Sequence, residues 1–158
     1  MNILKKIKHI PRIIKGTLAL INVRDLQING KYEEALILID KYKDLFEEKN
    51  FKYHLERGRI LFSDRRNCKS AIEEYLKGIS LVNSDKKINS NEREYYLAWA
   101  KYAVAWCYDE LVEKDVAEGW RNESEKHNFN YEKIPEYIRT AFPMRWHDDY
   151  EKKGQVSS

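Results

Sequence analysis

The chain has 158 residues, among them 11 Tyr, 5 Phe and 4 Trp, enough for one domain with a real core and too aromatic for a disordered chain. Only 6 Gly and 3 Pro occur, which favours long helices over a turn-rich β fold. The net charge of +3 is uneven: residues 1–24 carry six Lys or Arg and no acid, so a basic arm precedes a body at −3.

Residues 2–10 and 12–28 both read as helical. Ile3, Ile7, Ile10, Ile14, Leu18 and Ile21 follow the helical period and form one stripe, with Lys5, Lys8, Arg12 and Lys15 on the other side. Pro11 lacks a backbone donor and predicts a kink or break between the two. Two readings of residues 1–16 stand side by side. In one, this basic amphipathic helix lays its Ile stripe on the next helices as a cap. In the other, Lys5, Lys6, Lys8, Arg12 and Lys15 hold it against an anionic membrane surface. No apolar run approaches the ~20 residues of a membrane span. The start also lacks the h-region and cleavage site of a signal peptide, so none is expected.

Asn29-Gly30 should close the second helix near Ile28. A helix over about 31–48 follows, with Ala35, Leu36, Ile39, Tyr42, Leu45 and Phe46 on its apolar side. The next is expected over 51–64, then a turn at Arg65-Arg66-Asn67, then a helix over 68–82 through Ala71, Ile72, Tyr75 and Ile79. A polar loop spans Asn83–Asn91. The most aromatic helix, about 91–112, carries Tyr95, Tyr96, Trp99, Tyr102 and Trp106, with Ser90 or Asn91 as its N-cap. A weaker helix over 114–127 holds Val116, Ala117 and Trp120. After a turn at Asn128–Asn130, a short helix over 134–142 admits Pro135 in its first turn and stops at Pro143.

The run Gly30-x-Tyr32-x-x-Ala35 and its later counterparts resemble the tetratricopeptide repeat, a 34-residue helix–turn–helix unit with the pattern W-x2-L-G-x2-Y…A-x3-F. In the first pair Ala19, Asn22, Val23 and Leu26 take the W, L, G and Y places, and Ala35 and Ile39 the A and F places. In the second, Gly58 and Leu61 are followed by Ala71 and Tyr75. In the third, Trp99-x-x-Tyr102-Ala103-x-x-Trp106 fits, but the helix after it does not. Val23 to Gly58 is 35 residues, Ala35 to Ala71 is 36, and Gly58 to Ala103 is 45, the last implying an insertion in the 83–91 loop. An irregular α-bundle would mimic part of this, because any helical hairpin wants small residues where its helices touch.

The expected fold is therefore all-α: about three stacked antiparallel hairpins over residues 17–127, after the N-terminal helix of residues 1–16 and before a C-terminal capping segment and tail at 128–158. The resemblance implies that the first helix of each pair lines a concave binding face. That gives Leu20, Arg24 and Gln27, then Leu55, Arg59 and Phe62, then Ala100, Val104 and Cys107. Arg24 and Arg59 fall in register, one repeat apart, and suit an acidic peptide or a carboxylate. Alternatively both pair with local acids such as Asp25 and Glu56. The Lys/Asn carboxylate clamp of chaperone-binding members is not reproduced, since those places hold Leu20 and Arg24. Residues 128–150 can also fold back and fill the groove.

Signals of catalysis are poor, with no phosphate loop, no G-x-S-x-G and no H-E-x-x-H. His54-Leu55-Glu56 echoes a zinc-deaminase motif without its cysteine pair. His147-Asp148-Asp149 reads as a solvated segment rather than a metal site. Cys68 and Cys107 match no ligand spacing and are expected as reduced thiols in a cytoplasmic protein. Basic clusters at Lys5–Lys15 and at Arg65, Arg66 and Lys69 are set against an acidic body, which disfavours a nucleic-acid partner. The reading is a non-enzymatic, cofactor-free adaptor for another protein or peptide; a bacterial toxin-neutralising immunity protein is its narrower version. A peripheral membrane protein anchored by the N-terminal helix is the alternative.

Overall fold

A computed structural model describes residues 12–45, 50–64 and 67–144, with the backbone alone for Arg12 and Ile13. Every regular element among them is helical. The α-helices are α1 (Arg12–Ile28), α2 (Tyr32–Lys41), α3 (Phe51–Ser63), α4 (Cys68–Ser84), α5 (Ser90–Glu110), α6 (Lys114–Glu125) and α7 (Glu136–Ala141), with single 3-10 turns at Lys43–Leu45 and Tyr131–Lys133. The chain packs as hairpins, α1 on α2, α3 on α4 and α5 on α6, with α2 against α3 and α4 against α5 joining one to the next.

Local chemistry sets the boundaries. Gly30 has φ +72°, its N–H bonds Gln27 O at 3.0 Å and the next N–H bonds Leu26 O at 2.9 Å. This double closure satisfies the last carbonyls of α1 and favours the residue without a Cβ. The same pair of bonds ends α5: Val112 N–H to Asp109 O at 3.0 Å and Glu113 N–H to Tyr108 O at 2.9 Å. There the left-handed residue is Val112, at φ +63°. Asn50 caps α3 by accepting from Lys52 N–H at 3.0 Å. Asn89 caps α5 by accepting from Glu92 N–H at 2.9 Å, one residue before the expected cap. The helix expected over 31–48 stops at Lys41, because the Tyr42 N–H turns to Ile39 O as well as Leu38 O and the chain tightens into a 3-10 turn.

Small residues let the helices approach. Gly58 on α3 lies under the Tyr75 ring of α4, where a Cβ would meet ring carbons at 2.8 Å. Gly78 on α4 lies under Leu55, where a Cβ would come within 2.5 Å of a methyl. Each helix thus sets a glycine opposite a large side chain of the other. Ala35 and Ala71, matched by sequence, are both fully buried. A larger cluster joins α3, α4, α5 and the last described residues, among them Tyr75, Tyr95, Tyr96, Trp99, Val104, Ile138 and Phe142. A smaller one, Val23, Ala35, Ile39, Tyr53 and Ile60, holds the first hairpin.

The N-terminal stripe is placed differently from the capping expectation. On α1 the buried positions are Gly16, Ala19 and Val23. Ile14 and Ile21 are each 48% exposed and Ile28 83%. Both sets share the helical period, but only the small side chains let α1 settle closely on α2. Ile3, Ile7 and Ile10 lie outside the described residues.

Candidate interaction face

The first helices of the three hairpins run side by side in the same sense. Arg24 and Gln27 of α1 reach Glu56 and Arg59 of α3 in that order. Phe51 and Phe62 of α3 meet Tyr96 and Trp106 of α5 in that order. Their shared face is the one expected to bind, and three different things occupy it.

Its centre is an ion triad. Glu56 is fully buried and takes Arg24 Nη2 at 2.9 Å on one oxygen and Arg59 Nη2 at 2.5 Å on the other. Both arginines predicted in register are thus spent on one local acid. The carboxylate's burial is tolerable because both its oxygens are paired. One positive charge is left over from the triad. Lys52 stands near it, its amine pulled down by burial, which the charges of Glu92 and Glu56 partly offset.

At the end where these helices begin, the chain covers its own face. Asn91 and Asn130 exchange bonds, Nδ2 to O at 3.1 Å and N–H to Oδ1 at 2.7 Å, pinning the return to the start of α5. From there Ile134, Ile138, Ala141, Phe142 and Met144 are buried. Arg59 Nη1 donates to Ala141 O at 2.6 Å, and the fully buried Tyr95 hydroxyl donates to Phe142 O at 2.6 Å. The Phe142 ring stands edge-on to Trp99 at 4.9 Å and to Tyr96 at 5.4 Å. Burial drives the Tyr95 and Tyr96 hydroxyls upward in pKa, so both stay protonated.

At the other end an aromatic ladder is only half-buried. Phe62 stacks on Trp106 with centroids 6.3 Å apart and planes 15° apart, and Trp106 meets Tyr102 edge-on at 5.2 Å. Leu20 and Gln27 on α1 are half-buried too. Of the other residues assigned to the groove, Leu55, Ala100, Val104 and Cys107 are fully buried. Leu55 is turned toward Gly78 of α4. On α5 the side chains that meet α3 or the C-terminal segment are Tyr95, Tyr96, Trp99 and Trp106 instead. Their spacing was visible in sequence, but the repeat register pointed to their neighbours.

Two further polar clusters lie elsewhere. Asp40 of α2 accepts from Tyr53 at 2.7 Å and from Arg57 Nε at 3.0 Å. Arg57 also reaches Glu74 at 3.4 Å, and Glu74 bonds His54 at 2.7 Å and Lys77 at 3.1 Å. Burial alone would raise the Glu74 carboxyl, but the bonds from His54 and Lys77 outweigh it and hold it at about 2. His127 bonds Glu94 at 2.7 Å, and the Ser124 hydroxyl donates to Ala98 O at 2.7 Å, fastening α6 to α5. His54 and Glu56 therefore belong to separate clusters. No group of three or more potential metal ligands gathers among the described residues, and His147-Asp148-Asp149 lies outside them. Cys68 and Cys107 are both buried; burial, with a smaller push from Cys68, raises the Cys107 thiol to about 12, so it is a poor nucleophile at neutral pH.

Of the basic residues assigned to a membrane surface, Lys15 is half-buried on α1, and Arg12 begins that helix with only its backbone described. Lys5, Lys6 and Lys8 lie outside the described residues, as do Arg65 and Arg66. No described helix is long and apolar enough to cross a membrane. Compared with models of protein families, with curated proteins and with solved structures, the chain matches none of them.

Proposed function

We propose that the chain is a non-enzymatic interaction module of tetratricopeptide-like hairpins that binds another protein or peptide on the open end of its first-helix face. One observation carries the reading: the half-buried ladder of Phe62 and Trp106, bridging α3 to α5 beside the exposed edge of the ion triad. Aromatic side chains with one face packed and one toward solvent are the usual anchors of protein interfaces. The triad's surplus charge at Arg24 favours an acidic residue in the ligand, more weakly than two unpaired arginines would. Cytoplasmic placement is supported by the two buried thiols, and toxin neutralisation is a narrower use of the same face.

Peptides selected from a random display library on the full chain supply the test. Their affinity for the parent chain, for Trp106→Ala and for the exposed-site control Ile37→Ser is measured, with circular dichroism confirming the fold of each. Trp106→Ala should weaken selected peptides at least about tenfold, a hot-spot loss, while Ile37→Ser leaves them unchanged. Equal affinity for a folded Trp106→Ala removes this face from the reading.

A further inference from the structure

The outer face of α1 carries an apolar stripe that is exposed among the described residues. Ile14, Ile21 and Ile28 recur every seven residues, 48%, 48% and 83% exposed, and two helical turns bring such positions back to nearly the same side. Leu18 falls beside them and is half-buried. The stripe belongs to the first hairpin, whose α1 no further described helix covers. It also belongs to the one part of the sequence with a strong charge: residues 1–24 hold six Lys or Arg and no acid, in a chain that is otherwise −3.

Two occupants fit an isoleucine stripe of this kind, a second copy of the chain and a lipid surface. The charge separates them. With Arg24 paired to Glu56 on the inner face, the other five basic residues all precede Leu18 in sequence, and two copies meeting on α1 would set these like charges against each other, which opposes association. An anionic bilayer meets the same segment with attraction, while the isoleucines enter the headgroup boundary. We infer that the α1 stripe, centred on Ile14, Leu18 and Ile21 and flanked by Lys15, docks on an anionic phospholipid surface. Asp25 is exposed between Ile21 and Ile28 on the same side and resists burial in lipid, so the contact ends near Ile21. This inference stands apart from the peptide face, which lies toward α3 and α5.

Flotation of the full chain with vesicles of phosphatidylcholine alone, or of phosphatidylcholine with phosphatidylglycerol at about three to one, tests it. The parent chain should float with the anionic vesicles only, and high salt should release it. Ile14→Ser/Ile21→Ser should float at least about tenfold less, with its circular dichroism unchanged because both positions are solvent-facing. Lys15→Glu should weaken flotation about tenfold or more, since charge reversal removes one attraction and adds one repulsion. Failure of the parent chain to float with anionic vesicles overturns the inference, as does undiminished flotation of the double serine variant. Light scattering after size exclusion covers the rival occupant: a dimer that Ile14→Ser/Ile21→Ser converts to monomer assigns the stripe to a second copy and overturns the lipid reading.

Discussion

The two seams of the helix stack are built from different materials. Where the first hairpin meets the second, the ties are charged: Arg24 to Glu56 on one side, and Asp40 to Arg57 and Tyr53 on the other. The apolar cluster between them is small. Where the second hairpin meets the third, the ties are aromatic: Phe51 on Tyr96, Tyr75 on Trp99 and Phe62 on Trp106. Apolar packing is indifferent to pH and strengthened by salt, whereas ion pairs answer to both. The first hairpin should therefore come loose under charge substitution at its seam while the other two stay together.

The largest break is expected from Glu56→Ala. It leaves two guanidinium groups facing each other without a carboxylate, and removing one member of a buried pair costs about 3 kcal/mol. The chemical-denaturation midpoint should fall accordingly. Hydrogen exchange should show α1 and α2 opening before α5. If α5 loses protection as early as α1, the two seams are equally strong.

Acid acts inside the second hairpin instead, where Glu74 of α4 is bound to His54 and Arg57 of α3. Glu74 has its carboxyl at about 2 in the folded chain against an ordinary 4.5. A lowered folded value stabilises above the ordinary one, and the contribution is lost as pH falls from about 4.5 toward 2. The stake is on the order of 2 kcal/mol after discounting for partial solvent access. Stability measured from pH 7 to pH 2 should drop across that window, and Glu74→Gln should flatten the drop. A Glu74→Gln curve parallel to the parent's assigns the acid sensitivity to other groups.

The smallest effects compare the two hairpin turns. The bond pattern after α1 and after α5 is the same, yet one turn has Gly30 and the other Val112. A β-branched residue at positive φ is strained by about 1–2 kcal/mol relative to glycine. Val112 is 77% exposed, so removing its side chain loses little packing. Val112→Gly should raise stability by about 1 kcal/mol, and Gly30→Ala should lower it by a similar amount. Opposite signs in thermal melts sharpen the equivalence of the two turns; equal signs break it.

Much of the fold was readable from the sequence because its signals are local. Gly30, the polar loop before α5 and the helical periods of α3 to α5 mark boundaries within a few residues of themselves. The site was readable only in part. The register of Arg24 and Arg59 follows from repeat spacing, and Glu56 lies three residues from Arg59, so the triad had a local clue. The Ala141 carbonyl that Arg59 engages is 82 residues away, and a backbone acceptor has no residue type to announce it. The α1 stripe failed for another reason. Periodicity says which side chains share a face but not which face is covered, and α1 has two periodic faces. Close helix contact selected Gly16, Ala19 and Val23 and turned the isoleucines outward.

The return of the chain over its own first-helix face also orders its assembly in time. The hairpins join neighbours in sequence, so each can close soon after it is synthesised. Tyr95 and Trp99 cannot: their cover, Ile138 to Phe142, is made some 40 residues later, a few seconds at ribosomal speed of about 5–20 residues per second. During that interval the nascent protein displays its most aromatic surface uncovered. Only when Phe142 arrives on Tyr96 and Trp99 is that surface closed.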